Sequence, residues 1–195
     1  MREVIYNKDN ILDKDINKVI TRSKVLLINS KNEITLAFSD NVYHFVGGHV
    51  EGNETLNETL IREVKEEAGI VLPNDNYKPY FKITQIFKDY PSIGKTNKYE
   101  YYYYVIKTDE VPNLNNINLT EEEINENFEL RTFHLDEIES VLEETLNWGE
   151  RNRRIAPTMI EAIRVYKEMN SQKNCEFFNY SKKNLIFMLY FLKVV

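Results

Sequence analysis

Glu54, Glu63, Glu66 and Glu67 crowd into residues 48–70, GHVEGNETLNETLIREVKEEAGI, and chemistry is most readily built from them. Glu63 and Glu67 are four apart and Glu63 and Glu66 three apart. On a helix turning about 100° per residue they share one sector and are surface neighbours. Each like-charge pair at that spacing is unfavourable by roughly 0.2–0.5 kcal/mol, and by more where the local dielectric is low. A positive group must sit among them. Arg62, one turn before Glu66, can fork onto a carboxylate and fix its rotamer. A divalent cation is the other candidate. Oxygen-only ligands select a hard ion, Mg²⁺ or Mn²⁺, which keeps waters and shares substrate phosphate oxygens. A solvated, glutamate-rich surface helix is the plainer reading. It accounts neither for the glycines at both ends nor for carboxylates placed beside an apolar stripe.

The elements that must position these groups are legible around them. Leu56, Leu60, Val64 and Ala68 recur every fourth residue and make one apolar helical stripe, with Asn53 expected as the N-cap, Gly69 as the left-handed C′ residue and Pro73 as a stop. Upstream, residues 16–28 and 33–38 are apolar runs rich in β-branched side chains, and 29–32 reads as the hairpin between them. Residues 42–46 form a third short strand that delivers the chain to Gly47-Gly48, where backbone without Cβ atoms can approach a metal or phosphate. Downstream, 80–87 reads as a strand and 88–97, with Pro91 and Gly94, as a loop bordering a substrate site. Strand 98–107 carries four consecutive tyrosines, Tyr101 and Tyr103 on one face and Tyr102 and Tyr104 on the other. They are either an aromatic wall for a nucleobase or a strand buried on both faces. An acidic stretch at 120–128 and a last strand at 130–134 follow. A helix capped by Asp136 is expected over 136–146, and another from Pro157 to residue 169, with Ile160, Ile163 and Tyr166 on its apolar side.

The whole chain narrows the classes of function. Its 195 residues suffice for one domain with an appendage, and 42% hydrophobic with 29% charged residues is ordinary for a globular protein. A net charge of −6 speaks against coating nucleic acid or an anionic membrane, though not against a nucleotide substrate neutralised by a metal. With Cys175 alone there is no intrachain disulfide framework, and the polar N-terminus has no secretory signal, so a cytoplasmic location is expected. The apolar tail 184–195, NLIFMLYFLKVV, is shorter than the roughly 20 residues a membrane span needs. It is expected to pack on the core or to meet a second copy in a homodimer, rather than to contact a membrane surface. No DNA-binding motif is evident, and no internal repeat.

Gly48, five residues, Glu54, seven residues and then Arg62-Glu63-Val64-Lys65-Glu66-Glu67-Ala68-Gly69-Ile70 resembles the Nudix box, G, five residues, E, seven residues, R-E-U-x-E-E-x-G-U, at every fixed position. The resemblance runs over about 16–146. It implies an α/β fold, the Nudix α/β/α sandwich with a mixed β-sheet between helices, in a hydrolase domain over 1–170 followed by the apolar extension 171–195. It further implies hydrolysis of the diphosphate linkage of a nucleoside diphosphate joined to another group, with Mg²⁺, or Mn²⁺ in its place, as cofactor. The substrate is then a small nucleotide such as a nucleoside triphosphate or nucleotide sugar. Glu66 and Glu67 become the main metal ligands, Glu63 a further one, and the Gly47 carbonyl another, although Val46 stands where the family commonly has proline. Arg62 orients a glutamate and Glu54 supports the helix start. The general base is a box glutamate, Glu63 or Glu66, or one of Glu121, Glu122, Glu123 and Glu126. His49 lies where it could touch phosphate. Arg151, Arg153 and Arg154 either reach phosphates or form a solvated basic turn.

Two other readings compete. One is a Nudix-type module that senses a nucleotide metabolite without cleaving it, disfavoured by the intact box. The other is an RNA 5′-end pyrophosphohydrolase, disfavoured by the acidic charge. The tracts of NADH and coenzyme A members are absent. Ile86 stands where ADP-ribose members have proline, and Tyr90 only approximates the tyrosine of dinucleoside polyphosphate members.

Overall fold

A computed structural model describes residues 1–73, 76–113 and 115–191, with side chains at all of these but 122, 123 and 173–191. In chain order the elements are β1 (Arg2–Tyr6), β2 (Lys18–Ile28), β3 (Glu33–Ser39), β4 (Val42–His44), α1 (Leu56–Ala68), β5 (Phe81–Phe87), β6 (Asn97–Lys107), α2 (Glu121–Asn125), β7 (Glu129–His134), α3 (Ile138–Glu144) and α4 (Glu150–Phe191). The seven strands form one mixed sheet in the order β1-β5-β6-β2-β3-β4, with β7 added on β3. Strand β2 lies parallel to β6, and β1 parallel to β5, whereas the remaining pairs are antiparallel. The chain divides into two compact units, Met1–Ile160 and Glu161–Val195, the second being helical from 161 to 191.

Strand β2 explains its own composition. Val25, Leu26, Leu27 and Ile28 are all buried because β2 sits inside the sheet with both faces covered, which removes the alternation an exposed strand would show. On one face Val25 and Leu27 pack with Val46, Tyr104 and Ile106 against the α1 stripe of Leu60, Val64 and Ala68. Each such side chain, fully buried, contributes roughly 1.5–3 kcal/mol. On the other face Tyr103 stacks on Phe81 at 5.9 Å and meets Phe45 edge-on at 5.8 Å, and its hydroxyl bonds Thr158 in the first turns of α4. The tyrosines of β6 alternate as expected. Tyr99, Tyr101 and Tyr103 stack along one face at 6.4 and 6.5 Å, while Tyr102 and Tyr104 join the α1 core.

Several boundaries differ from the sequence expectation. Residues 2–6, polar enough to suggest nothing, form the edge strand β1, largely exposed and held by its ladder to β5. The N-cap of α1 is Thr55, not Asn53, because Thr55 and Glu58 complete a reciprocal capping box. Helix α3 begins at Ile138 with no side-chain cap from Asp136. Helix α4 starts at Glu150 and carries Pro157 inside it rather than at its start. Its early polar residues are consumed by side-chain bonds to the β3–β4 turn: Arg151 to Asp40 at 3.1 Å and Asn152 to the Asn41 carbonyl at 3.1 Å. The packing expected of the 184–195 tail lies outside the described residues. Among the described residues no helix is long and apolar enough to cross a membrane.

Candidate active site

The loop after β4 is laced onto β2. Val25 N–H donates to the Val46 carbonyl at 3.0 Å, Ser23 N–H to the Gly48 carbonyl at 3.1 Å, and Val50 N–H to the Thr21 carbonyl at 3.0 Å. This close approach dictates Gly47, which has φ +123° and whose Cβ would stand 2.2 Å from the Ser23 carbonyl oxygen. Gly48 makes room of another kind. A Cβ there would lie 2.2 Å from Glu63 Oε1, so the Glu63 carboxylate rests on bare backbone. Ser23 Oγ–H donates to the Leu56 carbonyl at 2.8 Å and ties β2 to the first turn of α1.

The helix then presents its carboxylates to this loop. Glu67, 4% exposed, accepts from the Gly47 N–H at 2.8 Å through Oε2. Glu63 is 8% exposed, and burial pushes its carboxyl pKa up against the opposing pull of the Lys24 and Arg62 charges. Arg62 Nη1 donates to both Glu63 Oε1 at 2.8 Å and Glu66 Oε2 at 3.0 Å, bringing those two carboxylates to one nitrogen. Arg62 is in turn held by Glu54, which accepts from Nε at 2.7 Å and Nη2 at 3.0 Å, and by the His49 carbonyl at 3.0 Å. That fork, aided by the Glu51 N–H and the Thr59 hydroxyl, holds the Glu54 carboxyl down at about 2. Glu66 lines a cleft of about 570 Å³ with Glu58, Ile61, Arg62, Lys65, Asn116 and Asn118.

The box residues named from the sequence are thus brought beside one loop, Glu67 bonded to the Gly47 N–H, Glu63 lying against Gly48 and Glu66 tied to Glu63 through Arg62. Among the described residues no three His, Cys, Asp or Glu side chains stand ready-arranged around a metal position. Glu126 pairs with Arg151 at 3.6 Å, Glu121 is exposed, and the side chains of Glu122 and Glu123 lie outside the described residues. The His49 imidazole pKa is lowered to about 4 by desolvation and then by the nearby cations Arg22, Lys24 and Lys18. His44 bonds Ser39 Oγ at 3.1 Å, and His134 pairs with Asp136 at 3.5 Å. Arg153 reaches the Leu146 carbonyl at 3.5 Å, and the Arg154 guanidinium lies 4.7 Å from the Tyr90 ring centre.

Two cationic residues went unremarked in the sequence. Lys24 is 7% exposed, and its Nζ donates to the Phe45 carbonyl at 3.1 Å and to the Gly47 carbonyl. Its signal was a lysine inside the apolar run of β2. Arg22 lies across the ladder from Tyr101 and in a bridge with His49, and its Nε, like that of Arg154, is buried with no hydrogen-bond partner.

The profile of the NUDIX domain matches residues 15–158. Among solved structures the MutT protein of Methanosarcina mazei Go1 is 18% identical, with 82% of this chain and 99% of that one covered at a TM-score of 0.51. An Ap4A hydrolase of C. elegans is 18% identical over 77% of this chain and 98% of that one, TM-score 0.46. A MutT protein of Bacillus halodurans is also 18% identical over 62% and 72%, TM-score 0.48. No curated protein sequence matches at a significant level.

Proposed function

Since this chain belongs to the Nudix family, hydrolases of phosphoric anhydride bonds, we propose that it cleaves the diphosphate linkage of a nucleoside diphosphate derivative with a divalent cation held on α1. The observation that carries this reading is the attachment of Glu63, Glu66 and Glu67 to one glycine loop through Gly48, Arg62 and the Gly47 N–H. The donors fit a hard cation. All are carboxylate oxygens, and burial leaves the charged form of Glu63 short of compensation, which a nearby cation would relieve. Glu63, Glu66 and Glu67 would hold Mg²⁺, or Mn²⁺ in its place, and a bound ion neutralises phosphate charge and lowers the pKa of its water.

The chain's own residues do the rest. Arg62, fixed by Glu54, sets the rotamers of Glu63 and Glu66 and stops them turning away from each other. Glu66 opens onto the cleft whereas Glu63 is enclosed, which supports Glu66 as the box glutamate that takes the proton of the attacking water. A nucleotide is supported by the sheet face beside the loop. There the rings of Tyr99 and Tyr101, with Tyr90 of the loop before β6 against Tyr99, form a packed aromatic row, and the buried Nε groups of Arg22 and Arg154 call for an acceptor such as phosphate.

The test is phosphate and pyrophosphate release from a panel of nucleoside diphosphate compounds, with and without Mg²⁺, for the wild type and Glu66→Gln. Metal-dependent turnover that falls by about 100-fold or more in Glu66→Gln is expected. Full activity in the variant would remove Glu66 from the site. Tight binding of one compound without turnover would instead favour a sensing role.

A further inference from the structure

The Lys24 ammonium is a buried cation set against the box loop. It is buried near the middle of β2 and donates to the carbonyl oxygens of Phe45 and Gly47. Gly47 therefore faces both ways: its N–H binds the Glu67 carboxylate and its carbonyl binds a fixed cation. The same positive charge favours the Glu63 carboxylate, which Arg62 also grips. An ammonium is a compact point charge with three donors, so it can satisfy two carbonyls while lying among acidic side chains.

A carbonyl already accepting from a buried ammonium is a poor ligand for a divalent ion, because the second cation would meet the first at close range. We propose that Lys24 is the resident cation of this site, holding the Gly47 carbonyl in the place of a divalent ion, so that metal binds to the α1 carboxylates alone. The proposal rests on the metal-dependent reading of the site but differs from it in the ligand set: Gly47 drops out, and a side chain of β2 becomes a positioning residue. The box loop then keeps its shape with and without metal, since the lysine rather than the ion closes it against β2.

The test counts ions and watches the lysine. Mn²⁺ bound per chain is measured without substrate for the wild type, Lys24→Met and Glu66→Gln, with thermal melts as a folding check. In parallel the Lys24 ¹⁵N ammonium resonance, assigned by its loss in Lys24→Arg, is followed as Mg²⁺ saturates the wild type. Lys24→Met is expected to bind one Mn²⁺ more than the wild type, through the liberated carbonyl. The wild-type ammonium signal is expected to persist unshifted and protected from exchange. A folded Lys24→Met with the wild-type number of ions would overturn the proposal, as would loss or displacement of the ammonium signal at saturation. If Lys24→Met does not fold, the wild-type resonance decides alone. Wild-type protein that binds no Mn²⁺, or binds it as well after Glu66→Gln, fails at the earlier step and refutes the metal reading itself.

Discussion

Arg62 makes five hydrogen bonds, two to Glu54 and one each to Glu63, Glu66 and the His49 carbonyl. Only a planar fork with donors on three nitrogens can reach such divergent acceptors; a lysine offers three donors at one point. The histidine of β4 works by being neutral instead. Burial, then the charges of Lys24, Arg151 and Arg22, lower His44 to about 3, far below its ordinary value of about 6.5. Because the folded state resists the proton that the unfolded chain accepts, the unfolded state binds more protons below about pH 6.5, and stability is lost as pH falls through that window. The loss attributable to His44 is at most about 1.4 kcal/mol per pH unit. Urea unfolding of wild type and His44→Gln from about pH 7 to 5 checks this. The wild type is expected to lose stability more steeply, and parallel slopes would show that His44 titrates alike in both states.

At the scale of elements, α1 is held at both ends by different devices. At the start Thr55 and Glu58 exchange bonds of 3.2 and 2.7 Å. At the end Gly69 turns left-handed at φ 66°, and the loop after β6 docks there, Asn113 N–H on the Ala68 carbonyl at 3.0 Å and Asn118 N–H on the Glu66 carbonyl at 2.9 Å. Thr55→Ala is expected to cost about 1 kcal/mol. Gly69→Ala should cost more, since a Cβ in the left-handed region is unfavourable by roughly 1–2 kcal/mol and here would also stand 2.3 Å from the Asn113 carbonyl oxygen. Urea denaturation orders the two; equal costs would mean that the loop yields freely. The stripe, Gly69 and the strand runs were legible because apolar periodicity and a glycine stop are local signals. Asn53 and Thr55 are both good caps, and only the partner Glu58 separates them. The start of α4 was hidden because Arg151 and Asn152 are fixed by bonds to a distant turn, which periodicity does not register.

At the scale of the whole molecule, the box spacing puts Glu63, Glu66 and Glu67 on α1 beside the glycine loop, with Arg62 of the box among them, but the Lys24 charge that also acts there comes from β2 and could not be read locally. Lys24 is remote in sequence from the helix whose charge it balances, and only the strand order that seats β2 beside the loop brings them together. A chain with net charge −6 that gathers Glu54, Glu63, Glu66 and Glu67 within one loop and helix stores repulsion, which Arg62 and Lys24 offset in part. An ion that binds this folded cluster and not the unfolded chain stabilises by mass action, about 2.7 kcal/mol at a concentration about 100 times its Kd. For a chain of this size each kcal/mol shifts the melting temperature by roughly 2–4 °C. Mg²⁺ at that level is therefore expected to raise the melting point of the wild type by about 5–10 °C over protein in chelator. Sodium chloride at matched ionic strength should reproduce little of it, because screening acts on exposed charges and only weakly on the buried Glu63 and Glu67. Glu66→Gln should reduce the Mg²⁺ shift by removing one oxygen charge from the set. A shift that sodium matches, or that survives Glu66→Gln undiminished, would assign the stabilisation to general screening and not to an ion seated on α1.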